Sequence, residues 1–179
     1  MLKKILLTLA LLLVVFLGVV ALQPADFRIV RSATIAAAPA AVFAQVNDMH
    51  KWQTWSPWAK LDPAAKMTFE GPPAGTGAAF AWVGNSDVGE GRMTVTESRP
   101  DEVIRFRLDF LKPMAGTSTT EFTFKPDGKQ TMVTWSMAGK NNFLAKAVCL
   151  FMNMDKMVGG QFEQGLANLN AVTVAAAPK

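Results

Sequence analysis

Lys3 and Lys4 are followed by Ile5 to Leu22, 18 residues without a charge, and this run constrains everything after it. A helix of that length covers about 27 Å at ~1.5 Å per residue, close to the ~30 Å hydrocarbon core of a bilayer. Fourteen of its residues are Leu, Ile, Val or Phe. At roughly −0.3 to −0.6 kcal/mol each they contribute about −4 to −8 kcal/mol to insertion, an upper bound because positions near the ends count for less. Residues 1–24 are therefore expected to be a membrane anchor spanning from Ile5 to Leu22. A cleaved secretory signal has the same basic start, and Val19-Val20-Ala21 would serve as its cut site. Its apolar core is shorter, ~7–15 residues, so the length and uniformity of this run favour retention. Under either reading Lys3 and Lys4 stay on the cytoplasmic side. The expected localisation is a single-pass membrane protein with its folded part on the outer side, the periplasm in a bacterium.

Residues 25–174 have the size of one ordinary domain and can enclose a real core, and 175–179 read as a disordered tail. Cys149 is the one cysteine, so no internal disulfide forms and metal sites built from cysteine clusters are excluded. No two carboxylates show the spacing of a metal or hydrolytic pair, no Ser, His and Asp set suggests a triad, and the glycines form no phosphate loop. Neither a metal nor a cofactor is expected. The net charge of +4 is scattered among acids, which excludes a nucleic-acid patch and leaves mild attraction to anionic head groups.

Phe27, Ile29, Arg31, Ala33 and Ile35 fall on one face of a first strand. Pro39 opens a short helix to about Asn47 with Val42, Phe43 and Val46 inward, and a second short segment carries His50, Trp52 and Trp55. From Met67 to about Gly139 the pattern has period two, which predicts an antiparallel sheet with one apolar, aromatic face and one charged face. Gly84-Asn85 and Asp127-Gly128 supply turn chemistry. Asn142 to Val172 reads as one long helix whose apolar arc holds Phe143, Leu144, Phe151, Met154, Val158, Phe162 and Leu169. Gly165 sits at the centre of that arc, at a helix-propensity cost of about 1 kcal/mol relative to alanine, so a packing reason is expected.

The predicted architecture is α+β: a curled antiparallel sheet of about seven strands around a long C-terminal helix, preceded by one transmembrane helix. This is the helix-grip arrangement. Ala38-Pro39-Ala40-Ala41-Val42-Phe43, Asn47-Asp48 with Trp52-Gln53-Thr54-Trp55-Ser56-Pro57-Trp58, Gly91 to Val95, Val133-Thr134-Trp135, and Met154 to Met157 with Gly165 to Leu169 resemble the SRPBCC superfamily. That superfamily includes START lipid-transfer domains, birch-pollen-allergen-like proteins and polyketide cyclase/dehydrase-like proteins, and the likeness here is to its small bacterial membrane-anchored branch. The motifs extend from about Phe27 to Val172. They are specific for the family and weak for any activity, because one frame hosts binders, carriers and enzymes.

The resemblance implies a cavity between sheet and C-terminal helix. The inward positions that would line it are, on the strands, Phe80, Trp82, Met93, Val95, Phe106 and Leu108, then Phe122, Phe124, Trp135 and Met137. On the helix they are Phe151, Met154, Val158 and Phe162. These side chains either fill the interior completely, at ~1.5–3 kcal/mol each, or leave a gap for an apolar molecule, a role suited to methionine. Trp52, Trp55, Trp58 and Asp155 are candidates for a pocket rim. The three tryptophans would form a lip at the membrane interface or else pack beneath the short helices. His50 and Asp155 are the conceivable acid–base groups, read respectively as a solvated residue and a rim acid paired with a nearby lysine, so no catalytic residue is named.

The expected function is therefore a membrane-anchored domain that binds a hydrophobic small molecule or lipid as carrier, sensor or chaperone. Two alternatives stand beside it: a cyclase- or dehydratase-like enzyme acting on a hydrophobic substrate, and a packed interaction module for a membrane partner. The expected partners are the bilayer and the hydrophobic ligand, with no nucleic acid and the protein partner left open.

Overall fold

Asp26 pairs with Lys140 and Ile35 with Thr131, so the first strand of the domain lies antiparallel beside the last. This closure defines the topology. A computed structural model describes residues 1–176, beginning with α1 (Leu2–Leu22), a helix long and apolar enough to cross a membrane. After three linking residues come β1 (Asp26–Ile35), α2 (Pro39–Asn47), α3 (Trp52–Trp55) and α4 (Trp58–Leu61). Six further strands follow: β2 (Lys66–Glu70), β3 (Ala79–Val83), β4 (Glu90–Arg99), β5 (Val103–Lys112), β6 (Gly116–Asp127) and β7 (Gln130–Lys140). The sheet is antiparallel throughout, in the order β1-β7-β6-β5-β4-β3-β2. Asp127-Gly128 makes the β6–β7 turn, with Gly128 at φ 60°, a conformation glycine adopts without steric cost.

The helix expected over Asn142–Val172 is two helices, α5 (Phe143–Cys149) and α6 (Met154–Ala175). Both starts are capped by asparagine: Ala145 N donates to Asn142 Oδ1 at 2.8 Å, and Lys156 N to Asn153 Oδ1 at 2.9 Å. The second cap starts a new helix, and residues 150–153 become a link. Because α6 runs through Ala175, the expected tail begins inside a helix, and its last three residues lie outside the described ones.

α6 packs along β1 and against α2 and α3. Two glycines set how closely. A Cβ at Gly165 would stand 2.7 Å from the Trp135 ring, so the bare backbone allows helix and sheet to touch there. One turn and a half earlier, the Arg31 guanidinium lies across Gly159, where a Cβ would collide with it. From that slot Arg31 donates to Glu163 Oε1 at 2.6 Å and to both Asp155 carboxylate oxygens at 3.1 and 2.9 Å. Those hydrogen bonds hold the Asp155 carboxyl below its usual pKa and push the guanidinium further up. The partner of Asp155 is thus an inward arginine on β1 rather than a lysine.

The outer face of the sheet is charged. Arg105 bridges Glu97 and Glu121, Arg92 meets Glu70 at 2.8 Å, and Arg107 meets Asp109 at 2.8 Å.

Candidate functional site

Side-chain size falls along β4, β6 and β7 from one end of the inner face to the other. Stepping by two along β6, the inward residues are Phe124, Phe122, Thr120 and Ser118; along β7 they are Trp135, Met137 and Gly139; along β4 they are Val95, Met93 and Gly91. One half of the face is filled by its own side chains and the other is not. In the filled half Trp52 is the hub, with ring centroids 4.5 Å from Trp55, 5.4 Å from Phe106, 5.8 Å from Phe122 and 6.0 Å from Trp135. Its indole nitrogen donates to the Val46 carbonyl at 2.8 Å, and that of Trp55 to Gln45 at 3.2 Å. Phe43 on α2 seals this end against Phe124, with centroids 5.5 Å apart.

Under the other half lies a cavity of about 630 Å³. This is within the ~300–1,000 Å³ of small-molecule sites. Phe80, Trp82, Met93, Leu108, Trp135, Met137, Met154, Val158 and Phe162 line it, all expected from the sequence. Phe27, Ile29, Phe110, Met114, Met152 and Met157 complete the apolar wall, and Ser56, Ser118 and Thr120 bring hydroxyls. Trp82 lies over Gly91, where any Cβ would strike its ring, and its Nε1 donates to the Val88 carbonyl at 3.0 Å. Trp135 stacks on Phe162 with centroids 4.1 Å apart and planes at 8°. Its Nε1 is the one buried side-chain polar atom lacking a hydrogen-bond partner among the described residues.

Several expected lining residues sit elsewhere. Val95, Phe106, Phe122 and Phe124 belong to the close-packed half, where neighbouring rings take up the space beside them. Phe151 falls in the link between α5 and α6 and is 80% exposed, because the break in the helix removes it from the inward arc. The expected rim divides too. Trp52 and Trp55 are buried core residues, with Trp52 reaching the inner cavity wall, and only Trp58 of the three is half-buried beside the opening. Asp155 is turned to Arg31, and His50 stacks on Phe69 at 4.0 Å; neither lines the cavity.

The ionisable lining residues are Asp62, Asp87, Lys112 and Lys140, all on connections or strand ends at the opening. Asp62 is occupied by the backbone N–H groups of Ala64 and Asn85. The inner wall therefore offers shape, apolar contact and a few hydroxyls. Among the described residues no three His, Cys, Asp or Glu side chains gather as a metal site.

The curled antiparallel sheet gripping a C-terminal helix over a cavity defines a helix-grip domain. Residues 26–173 match the family described as polyketide cyclase / dehydrase and lipid transport, and the chain belongs to that family, within the SRPBCC superfamily of hydrophobic-ligand-binding domains. Solved structures agree on the fold. TTHA0849 of Thermus thermophilus superposes with a TM-score of 0.62 at 16% identity over 85% of this chain and 100% of that one. MLL2253 of Mesorhizobium loti gives 0.62 at 13% identity, over 85% and 100%. The di-domain ARO/CYC StfQ of the steffimycin biosynthetic pathway gives 0.58 at 11% identity, over 82% of this chain and 50% of that one. No curated protein matches the sequence.

Proposed function

We propose that this protein is a membrane-anchored binding domain that holds one hydrophobic small molecule or lipid in the cavity between sheet and α6, acting as carrier, sensor or chaperone. The observation that carries the reading is the stepwise loss of side-chain volume along β4, β6 and β7, which leaves about 630 Å³ unfilled under an apolar wall. A packed interaction module gains nothing from such a void, because unfilled core volume costs stability. A ligand of matching shape recovers that loss. Ser118, Thr120 and Ser56 would orient an oxygen-bearing group, and an acceptor reaching Trp135 Nε1 would satisfy a donor whose isolation costs about 1–3 kcal/mol. With its ionisable groups at the opening, the inner wall suits retention better than acid–base chemistry.

α1 supplies the address. Retained as an anchor, with Lys3 and Lys4 on the cytoplasmic side, it places the domain on the outer face of the membrane, the periplasm in a bacterium. Trp58, Trp82 and Trp135 on the cavity wall make binding observable. Titrating the full-length protein in detergent with a brominated fatty acid should quench tryptophan fluorescence saturably at one molecule per chain. Quenching that rises linearly without saturation would contradict a cavity site.

A further inference from the structure

The register of the sheet shows which way the cavity faces. Asp26 pairs with Lys140, Phe110 with Gly116, Glu90 with Lys112, and Lys66 with Val83. These pairs all lie at one end of the sheet, the end from which the chain joins α1. The cavity lining at that end comes from the β3–β4 loop (Ser86 to Gly89) and the β5–β6 hairpin (Lys112 to Gly116), with Met152 of the α5–α6 link. The opening is therefore on the same side as the anchor.

α1 also leans on the domain at this opening. Val20 is fully buried, Lys146 Nζ of α5 donates to the Ala21 carbonyl at 3.3 Å, and the Phe16 ring lies 6.4 Å from that of Phe151. Phe16 precedes the end of α1 by six residues, which is about 9 Å along the helix axis. A link that meets the anchor at Phe16 lies about 9 Å below the point where the anchor leaves the bilayer, the ~5–10 Å depth of interfacial helices. Its side chains suit that depth. Leu144 is 59% exposed and Phe151 80%, with Leu111 on the β5–β6 hairpin at 60%. These exposed apolar side chains flank the opening and continue the surface of α1, so lipid is the occupant that fits them.

We propose that the α5–α6 link and the tip of the β5–β6 hairpin are embedded in the outer leaflet, so that the cavity opens into lipid and exchanges its ligand without exposure to water. This rests on α1 being retained as an anchor. Cys149, exposed and adjacent to the link, is a native reporter.

The experiment uses the full-length protein in vesicles of phosphatidylethanolamine and phosphatidylglycerol, labelled at Cys149 with a small fluorophore, with C149S/K129C as a control at the opposite end of the sheet. Iodide on both sides of the vesicle reads water exposure, and doxyl-labelled lipid reads acyl-chain contact. The lipid quencher should act several-fold more strongly at Cys149 than at position 129, and iodide the reverse. The double variant L144E/F151E changes exposed side chains that do not line the cavity and should melt as the wild type does while losing most of the lipid quenching. Equal iodide quenching at both positions in vesicle-bound protein overturns the proposal, and so does a Cys149 label shielded from both quenchers, which would indicate a protein cover. Protein that fails to float with the vesicles removes the anchor reading and this proposal with it. A failed fatty-acid titration, by contrast, rejects the cavity ligand while leaving the Cys149 result standing.

Discussion

The two ends of the inner face share strands, register and pleat, and differ in the size of what they carry. On β6 the change from Phe122 to Thr120 takes the face from a sealed aromatic cluster to a cavity wall within two residues. On β5 Phe106 is fully buried while Leu108, the next inward residue, is half-buried at the cavity. A curled sheet with a helix across it can thus be rigid at one end and hollow at the other. The closed end stabilises the fold, which leaves the open end free to be shaped for a ligand.

The largest effect that separates the ends is loss of volume in the filled one. Phe122→Ala removes a ring in contact with Trp52, Trp55, Phe106 and Trp135 and should cost about 3–5 kcal/mol in chemical denaturation. Leu108→Ala, which enlarges an existing hollow, should cost less than half as much, and equal losses would break the distinction. Added volume reverses the contrast. Val95→Phe should cost about 1–3 kcal/mol by overpacking, whereas Thr120→Leu projects into free space and should leave the melting temperature within about 3 °C of wild type.

Two glycines of α6 test the close approach that frames the cavity. Gly165→Ala pushes a methyl group against Trp135 and should destabilise by about 1–3 kcal/mol. Gly160→Ala, facing open space, should stabilise by about 0.5–1 kcal/mol through helix propensity. The same sign for both would remove the packing argument for Gly165.

The smallest effect is in the Arg31 clamp. Arg31 lowers the folded pKa of Asp155, so the ion pair contributes stability above the unfolded carboxylate value, about 3.9, and loses it as pH falls through the lower folded value. Hydrogen-exchange protection factors at the start of α6 should fall in that acid range in the wild type. Asp155→Asn should exchange faster at neutral pH and show little further acid dependence from this site.

Much of the closed end was legible because burial there repeats with the sheet's own period: Phe122, Phe124, Phe106 and Val95 alternate with charged or threonine outward neighbours, as a one-sided sheet requires. The same alternation continues through Thr120 and Ser118, but short polar side chains resemble surface residues, and the hollow they create was hidden. Gly91 and Gly139 are further places where the inner face loses its side chains, and a missing side chain leaves no mark in a hydrophobic pattern. The break between α5 and α6 was obscured for a related reason. Apolar residues continue through Leu150, Phe151 and Met152, and only the caps at Asn142 and Asn153 mark two starts. Missing that break put Phe151 inside the domain, when its place is beside Phe16 on the anchor.

On the reading proposed above, the open end holds a hydrophobic molecule. Native mass spectrometry of full-length protein released from membranes, compared with a Ser118→Phe/Thr120→Leu variant, tests it most directly. One hydrophobic molecule should co-purify with the wild type and be lost from the filled variant, with both proteins folded. A wild type that emerges empty and takes up no added lipid or quinone, or a filled variant that carries the same load, would contradict it.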